Sequence, residues 1–174
     1  QLGGLSVYAL HQGKRGDYFD VIGKFTNIQN EYKVFNDMGH HVEADYRTNG
    51  VSLNMEYGRR IAQPHGFYID PSVELTMGHL AGKTYDAASD IPGKVLHVQQ
   101  DAINSTIGRI GIGIGQETEK SNLFLKLALA HEFSAKVRNT YSAPGEPTSA
   151  TEVDLKDTWL DVEFGGSYKL SNAT

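Results

Sequence analysis

The chain of 174 residues contains no cysteine, which excludes a disulfide scaffold and any thiolate-ligated metal site. It contains no run of 18 apolar residues, so no transmembrane helix is written in it. Only five prolines and one tryptophan are present. No stretch carries a convincing 3.6-residue apolar period, and residues 86–90 offer at most one helical turn. A Gly-x-Ser-x-Gly elbow, a cysteine nucleophile and a His-Glu-x-x-His spacing are all missing. Sixteen Lys and Arg are scattered among 21 Asp and Glu, a net charge of −5. Without a basic cluster, nucleic acid is not an expected partner. His40 and His41 fall on opposite faces of a strand, as do His131 and Glu132, so neither pair chelates readily. No metal, no cofactor and no enzymatic activity are expected. Gln1 is preceded by no Met, basic segment or apolar segment, so any signal peptide is expected outside these residues.

What the chain has is glycine, aromatics and alternation. There are 19 Gly, and aromatics make up 10%. The mean hydropathy of −0.40 fits a soluble β-protein and equally a barrel whose apolar surface is hidden in alternation. From Phe67 to Gly78, odd positions read Phe, Ile, Pro, Val, Leu, Met and even positions read Tyr, Asp, Ser, Glu, Thr, Gly. Successive strand side chains point to opposite faces, so one face is apolar and the other polar over twelve residues. Leu123, Leu125, Leu127 and Leu129 repeat the pattern. Both runs exceed the roughly 9–11 residues that a tilted strand needs to cross a bilayer.

Seven strands are expected, over residues 5–10, 18–35, 42–61, 67–85, 95–115, 123–141 and 159–170. Connections after the first, third and fifth are short. Those after the second, fourth and sixth are equal or longer, the longest being residues 142–157. An up-and-down meander puts these two sets at opposite ends, as in transmembrane barrels with short turns on one side and long loops on the other. Aromatics near the strand ends form two expected girdles: Phe19, Tyr57, Phe67, Phe124 and Tyr168 at one level, Phe35, Tyr85, Phe133 and Trp159 at the other.

The polar face collects Asp20, Lys24, Glu56, Arg60, Glu74, Arg109, Lys126, Glu132, Asp161 and Glu163. An Arg or Lys facing lipid near the midplane would cost about 2–4 kcal/mol. These ten are therefore expected to face a lumen, where they hydrate it and pair across strands. Gly108, Gly111, Gly113 and Gly115 are expected to face inward beside outward isoleucines, giving room or allowing curvature. No GKS/T follows them, so a phosphate loop is excluded.

Six stretches resemble, in order, the β-barrel translocator domain of autotransporters, the type V secretion family. They are Gly16-Asp17-Tyr18-Phe19-Asp20, Ser52 to Arg60, Phe67 to Leu75, Ser105 to Gly111, Ala130 to Phe133 and Val162 to Gly166. The resemblance implies an all-β, antiparallel up-and-down transmembrane barrel, of which residues 1–174 are an incomplete part of a twelve-stranded wall. It implies location in the bacterial outer membrane and export of a passenger domain through a hydrated pore. The implied partners are outer-membrane lipid, the passenger and linker of the same polypeptide, and the barrel-assembly machinery. The resemblance leaves undecided whether the linker is cleaved inside the barrel.

Two other readings of the same residues stay open at this level. One is a soluble up-and-down barrel with its apolar face inward around a small hydrophobic ligand. The other is an outer-membrane barrel hydrolase using acids at the long-loop end, with Asp86, Asp90, Glu146, Glu152, Asp154 and Asp157 available. The side of the wall that the apolar residues occupy separates the first from the transmembrane reading.

Overall fold

The computed structural model describes residues 2–35, 41–89 and 95–169. Its strands are β1 (Leu2–Gln12), β2 (Asp17–Phe35), β3 (His41–Arg59), β4 (Ile61–Ala62), β5 (Phe67–Leu80), β6 (Lys83–Ser89), β7 (Val95–Gln100), β8 (Ile103–Glu117), β9 (Ser121–Glu132), β10 (Lys136–Ser142), β11 (Ser149–Asp154) and β12 (Thr158–Tyr168). All pair antiparallel in one sheet. β5 and β6, β7 and β8, β9 and β10, and β11 and β12 run end to end. The chain therefore crosses seven times, each crossing beside its predecessor. This is the expected meander. Among the described residues, β1 and β12 each have one neighbour.

Several boundaries differ from the expectation. The third crossing stops at Arg59, and Ile61–Ala62 folds back on Ile69 and Tyr68. Residues 86–89, expected in a loop or helical turn, continue the fourth crossing, with 86–88 paired to β7 and Ser89 to Val42 of β3. The long loop shrinks to residues 143–148, because Ser149–Asp154 pairs with β10. The loops at 36–39 and 90–94, with Asp90, lie outside the described residues. So do His40 and the side chains of Phe35 and His41.

Four crossings contain a break, and in three of them the strand face changes. Even-numbered residues of β5, such as Tyr68 and Ser72, are the shielded ones; past Ala81 and Gly82 the shielded ones are odd, as in Tyr85 and Ala87. The same change separates β8 from β7 at Asp101 and Ala102, and β9 from β10 at residues 133–135. An inserted residue has this effect because side chains alternate with period two. The breaks are neighbours, since Leu80 opposes Ile103 and Lys83 opposes Gln100. Gly82 fits there because a β-carbon would stand 2.7 Å from Ala102 N and 2.9 Å from Gln100 O. Thr48 Oγ1 donates to Ala81 O at 2.8 Å from the unbroken β3. The breaks form a belt across the wall.

The wall has almost no packed core. Five of the seven buried apolar residues among the described ones are alanines, and no large side chain is fully buried. Below the belt one face instead exposes large apolar groups, with Ile110 at 63%, Val162 at 62% and Phe164 at 73%. A soluble barrel with an apolar interior requires these side chains inside, and they are outside. Beyond the belt the outward positions turn polar: Thr84, Asp86, His97, Gln99, Arg138 and Glu152.

Candidate functional site

The polar face of the sheet is concave. Lys126 on β9 reaches Glu56 on β3 at 3.1 Å, with β5 and β8 between them. On a flat sheet these backbones would lie about 14 Å apart, three strand spacings. Arg109 on β8 and Asp161 on β12 are likewise separated by β9 yet bonded at 3.1 Å. Tyr18 on β2 has its hydroxyl 3.0 Å from Asp70 on β5, across β3. Side chains that skip strands in this way converge towards a common axis.

The network has two cationic centres. Arg109 Nη1 donates to Glu74 Oε1 at 2.6 Å, its cross-strand partner, and Arg109 Nε donates to Asp161. Trp159 Nε1 donates to the other Asp161 oxygen at 2.9 Å. Arg109 also lies 5.9 Å from the Trp159 ring centroid. Lys126 neutralises Glu56, whose Oε1 is 3.4 Å from the Tyr18 hydroxyl. Asp20, Glu56 and Glu74 stand side by side across β2, β3 and β5. Such adjacent like charges repel, and Lys126 and Arg109 offset the repulsion. Asp20 Oδ1 is buried without a hydrogen-bond partner. Two polar hollows of about 260 and 330 Å³ follow the network and share Lys126 and Glu163.

Of the ten polar residues read from the alternation, these six meet in the network or flank it: Asp20, Glu56, Glu74, Arg109, Lys126 and Asp161. Arg60 sits at the short-turn end, 4.2 Å from the Tyr68 ring centroid and 3.9 Å from Asp70. Glu163 lines both hollows opposite Lys126 in register. Lys24 is exposed on the same face and joins neither centre. Glu132 does something else. It is 5% exposed and accepts the Thr106, Ser134 and Ala135 amides at 2.8, 3.0 and 3.1 Å, together with the Ser105 hydroxyl. Its charge is consumed by the break between β9 and β10.

Aromatic and glycine placement departs from the expected pattern. Tyr68, Tyr18 and Phe124 lie over Gly115, Gly58 and Gly165, each its cross-strand partner. Phe124, Tyr85 and Trp159 therefore lie on the polar face and not in the outer girdles, where Phe19, Tyr57, Phe67, Phe133 and Tyr168 are exposed. Tyr85 stacks on Tyr46 with centroids 4.7 Å apart. Gly111, Gly113 and Gly115 share the polar face, whereas Gly108 is on the other, under the Phe133 ring. The number 108 is even and breaks the period of the other three. The aromatic–glycine pairs were legible only once register was known. Among the described residues no group of three or more His, Asp or Glu converges to hold a metal. Asp86 pairs with His97 and Glu152 with Lys136, so the long-loop acids do not meet at one point.

Comparison with known proteins agrees with this geometry. The sequence model of the family described as "Autotransporter beta-domain" matches residues 2–174. The pertactin autotransporter of Bordetella parapertussis is 30% identical over 131 residues, covering 72% of this chain and 14% of the relative. The BrkA autotransporter of Bordetella pertussis is 32% identical over 109 residues, covering 63% of this chain and 10% of the relative. The chain thus spans a small fraction of the relatives it matches. Among solved structures, the β domain of the Bordetella autotransporter BrkA superposes with a TM-score of 0.66 at 24% identity, covering 97% of this chain and 74% of that one. An exposed apolar face, a concave ion-paired face and a family match over nearly every residue lead to one statement: this chain belongs to the autotransporter β-domain family, transmembrane β-barrels of the bacterial outer membrane.

Proposed function

We propose that the chain forms part of the wall of a translocator pore that anchors a passenger domain and exports it to the cell surface. The concave face lines the lumen, with Asp20, Lys24, Glu56, Arg60, Glu74, Arg109, Lys126, Asp161 and Glu163 in contact with water or the transiting chain. Glu132 faces the same side as a structural anchor. The apolar face meets lipid. The wall performs no bond-breaking chemistry of its own; it holds a hydrated passage open while the linker of the same polypeptide occupies it. Further strands pair with the free edges of β1 and β12, and the barrel-assembly machinery inserts the whole, since unpaired backbone is costly in lipid.

The observation that carries this reading is the pairing of Lys126 with Glu56 and of Arg109 with Asp161 across intervening strands, behind a face that exposes Ile110, Ile112 and Ile114. Mixed charges in a hollow stay wetted and hold an extended polypeptide weakly, whereas the same charges in lipid would be expelled. In the full-length protein, replacing Glu74 and Arg109 together by Met is expected to impair assembly or surface display, read as protease-accessible passenger on whole cells. Undiminished display counts against a lumen role for the pair. Ile112→Lys places a charge on the opposite face, at a cost of about 2–4 kcal/mol near the midplane. A refolding midpoint unmoved by that change counts against lipid contact there.

A further inference from the structure

The short-turn end of the wall carries an unusual balance of charge. Lys14, Arg15, Arg59, Arg60, Lys120 and Lys169 lie there against Asp17, Asp70, Glu117 and Glu119, in a chain whose net charge is −5. Arg60 is turned to the concave face, where Asp70 and Glu117 neutralise it at 3.9 and 3.6 Å. Lys14, Arg15 and Arg59 are exposed, and among the described residues no carboxylate is ion-paired with any of them. Asp17, opposite Arg59 in register, is the one acid beside them, and its carboxylate fills the space next to Gly13. The three cations are brought together by the fold. Arg60 N donates to Gly16 O at 2.8 Å, tying the β1–β2 turn to the end of β3, and Arg59 Nε donates to Arg15 O at 3.4 Å. That bond sets the Arg59 guanidinium against the β1–β2 turn.

The surface above these cations is built in levels. On the outward face of β2 and β3 the register pairs are Asp17 with Arg59, Phe19 with Tyr57, Val21 with Met55, Gly23 with Leu53 and Phe25 with Val51. Polarity returns at Asn27 and Asn49, bonded at 2.6 Å. Each level is about 7 Å of strand, two residues. Cations thus lie one level below an aromatic pair, and the aromatics one level below aliphatic side chains. That sequence matches phosphate, glycerol ester and acyl chain at a bilayer interface. At Gly23 the strip is notched: a β-carbon there would meet nothing nearer than Val7 O at 3.9 Å.

We propose that this strip seats one anionic glycerophospholipid of the leaflet at the short-turn end. Lys14, Arg15 and Arg59 hold its phosphate, Phe19 and Tyr57 flank its ester region, and an acyl chain lies along the Gly23 notch. The excess of positive charge selects an anionic over a zwitterionic headgroup. A water-soluble anion would gain nothing from the aromatic and aliphatic levels. The assignment rests on the proposed function, together with an orientation that puts the short turns on the inner side, as in outer-membrane barrels.

The test uses the delipidated full-length protein in detergent, titrated with dioleoyl phosphatidylglycerol or dioleoyl phosphatidylcholine and read by native mass spectrometry. Each interfacial cation is expected to contribute about fivefold in affinity. Wild type should prefer phosphatidylglycerol by at least tenfold. K14Q/R15Q/R59Q should lose that preference, while K136Q/R138Q/K156Q at the opposite end should keep it. Equal binding of the two lipids, or loss of the preference in both triple variants alike, overturns the site. K14Q/R15Q alters only exposed turn side chains and should show a partial loss; an unchanged preference in this folded variant overturns the site even where the triple fails to fold. Orientation is read separately. Lys14→Cys, in a chain without native cysteine, should react with an impermeant maleimide only after the outer membrane is opened. Labelling of intact cells would overturn the orientation, while the headgroup preference would still stand or fall on the spectra.

Discussion

Tyr68 covers Gly115 on the concave face: a β-carbon on that glycine would stand 2.3 Å from the ring's Cζ and 2.4 Å from its hydroxyl. The two are register partners across β5 and β8. The ring is buried, carries Arg60 above it, and cannot retreat without giving up that contact. Gly115→Ala is therefore expected to destabilise the wall by about 1–3 kcal/mol, the usual range for overpacking. Tyr68→Ala should relieve part of that loss, so the double variant should fall short of the sum of the single effects. Urea midpoints of the refolded protein in micelles check this; strict additivity would contradict the contact.

Arg109 bridges two acids, so its removal and the removal of its partner are not equivalent. Arg109→Met leaves Glu74 and Asp161 without their shared cation, each keeping only a neutral donor, Thr76 and Trp159 respectively. Breaking a fully buried pair costs about 3–5 kcal/mol. The Asp161 side chain is 44% exposed, so solvent screening should reduce this to about 1–2 kcal/mol. Glu74→Met/Arg109→Met should recover some of the loss in denaturation midpoint. A double variant no more stable than Arg109→Met would show that the pair adds nothing beyond its separate members.

Glu132 is the single carboxylate at the centre of four donors. Glu132→Ala strips an acceptor from three buried or half-buried amides and one hydroxyl. Leaving buried donors unsatisfied costs about 1–3 kcal/mol each when water cannot enter, and a total of about 2–4 kcal/mol is expected here because residues 133–135 border solvent. Amide exchange should rise first at Ser134 and Ala135. Exchange unchanged at those two positions would show that the break holds without the carboxylate.

Acid should loosen the break between β11 and β12 before the wall. The Lys156 amide donates to Asp154 at 3.0 Å, and with the nearby Lys156 and Lys136 ammonium groups it holds the Asp154 carboxyl below the usual carboxylate range. A depressed carboxyl contributes stability that is present above its unfolded pKa and is lost as pH falls through its folded pKa. Order at 154–156 is thus expected at neutral pH and lost in acid. Asp154→Asn should flatten that pH dependence in amide exchange at Lys156; an unaltered profile would assign the effect to another group.

The crossings were legible because alternation survives even where local composition is polar. Phe67 to Gly78 and Leu123 to Leu129 each show both faces, and the polar side chains opposite them do meet. The belt was not legible. Nothing in Ala81-Gly82 or Asp101-Ala102 marks an inserted residue, because the same dipeptides occur in ordinary loops. Reading one unbroken period through them placed Tyr85 on the outer face. Trp159 was misplaced for a different reason: an aromatic near a strand end fits an interface girdle, but Asp161 and Arg109, distant in sequence from each other, supply partners on the concave side. Glu132 carries a similar lesson. Its parity is right, yet only the fold shows that three amides and a hydroxyl already surround it.

The belt divides the wall into a lower storey whose outward face is apolar and an upper storey whose outward positions are largely polar. β10 and β11, with residues 143–148 between them, share only polar or mixed outward positions, and the ion pair of Lys136 with Glu152 closes their ladder locally at 3.1 Å. A foreign peptide spliced into residues 143–148 would be carried by a hairpin whose own pairing fixes it, above the belt. The upper storey is thus a natural graft point for antigens or affinity tags, while the membrane storey beneath keeps its register.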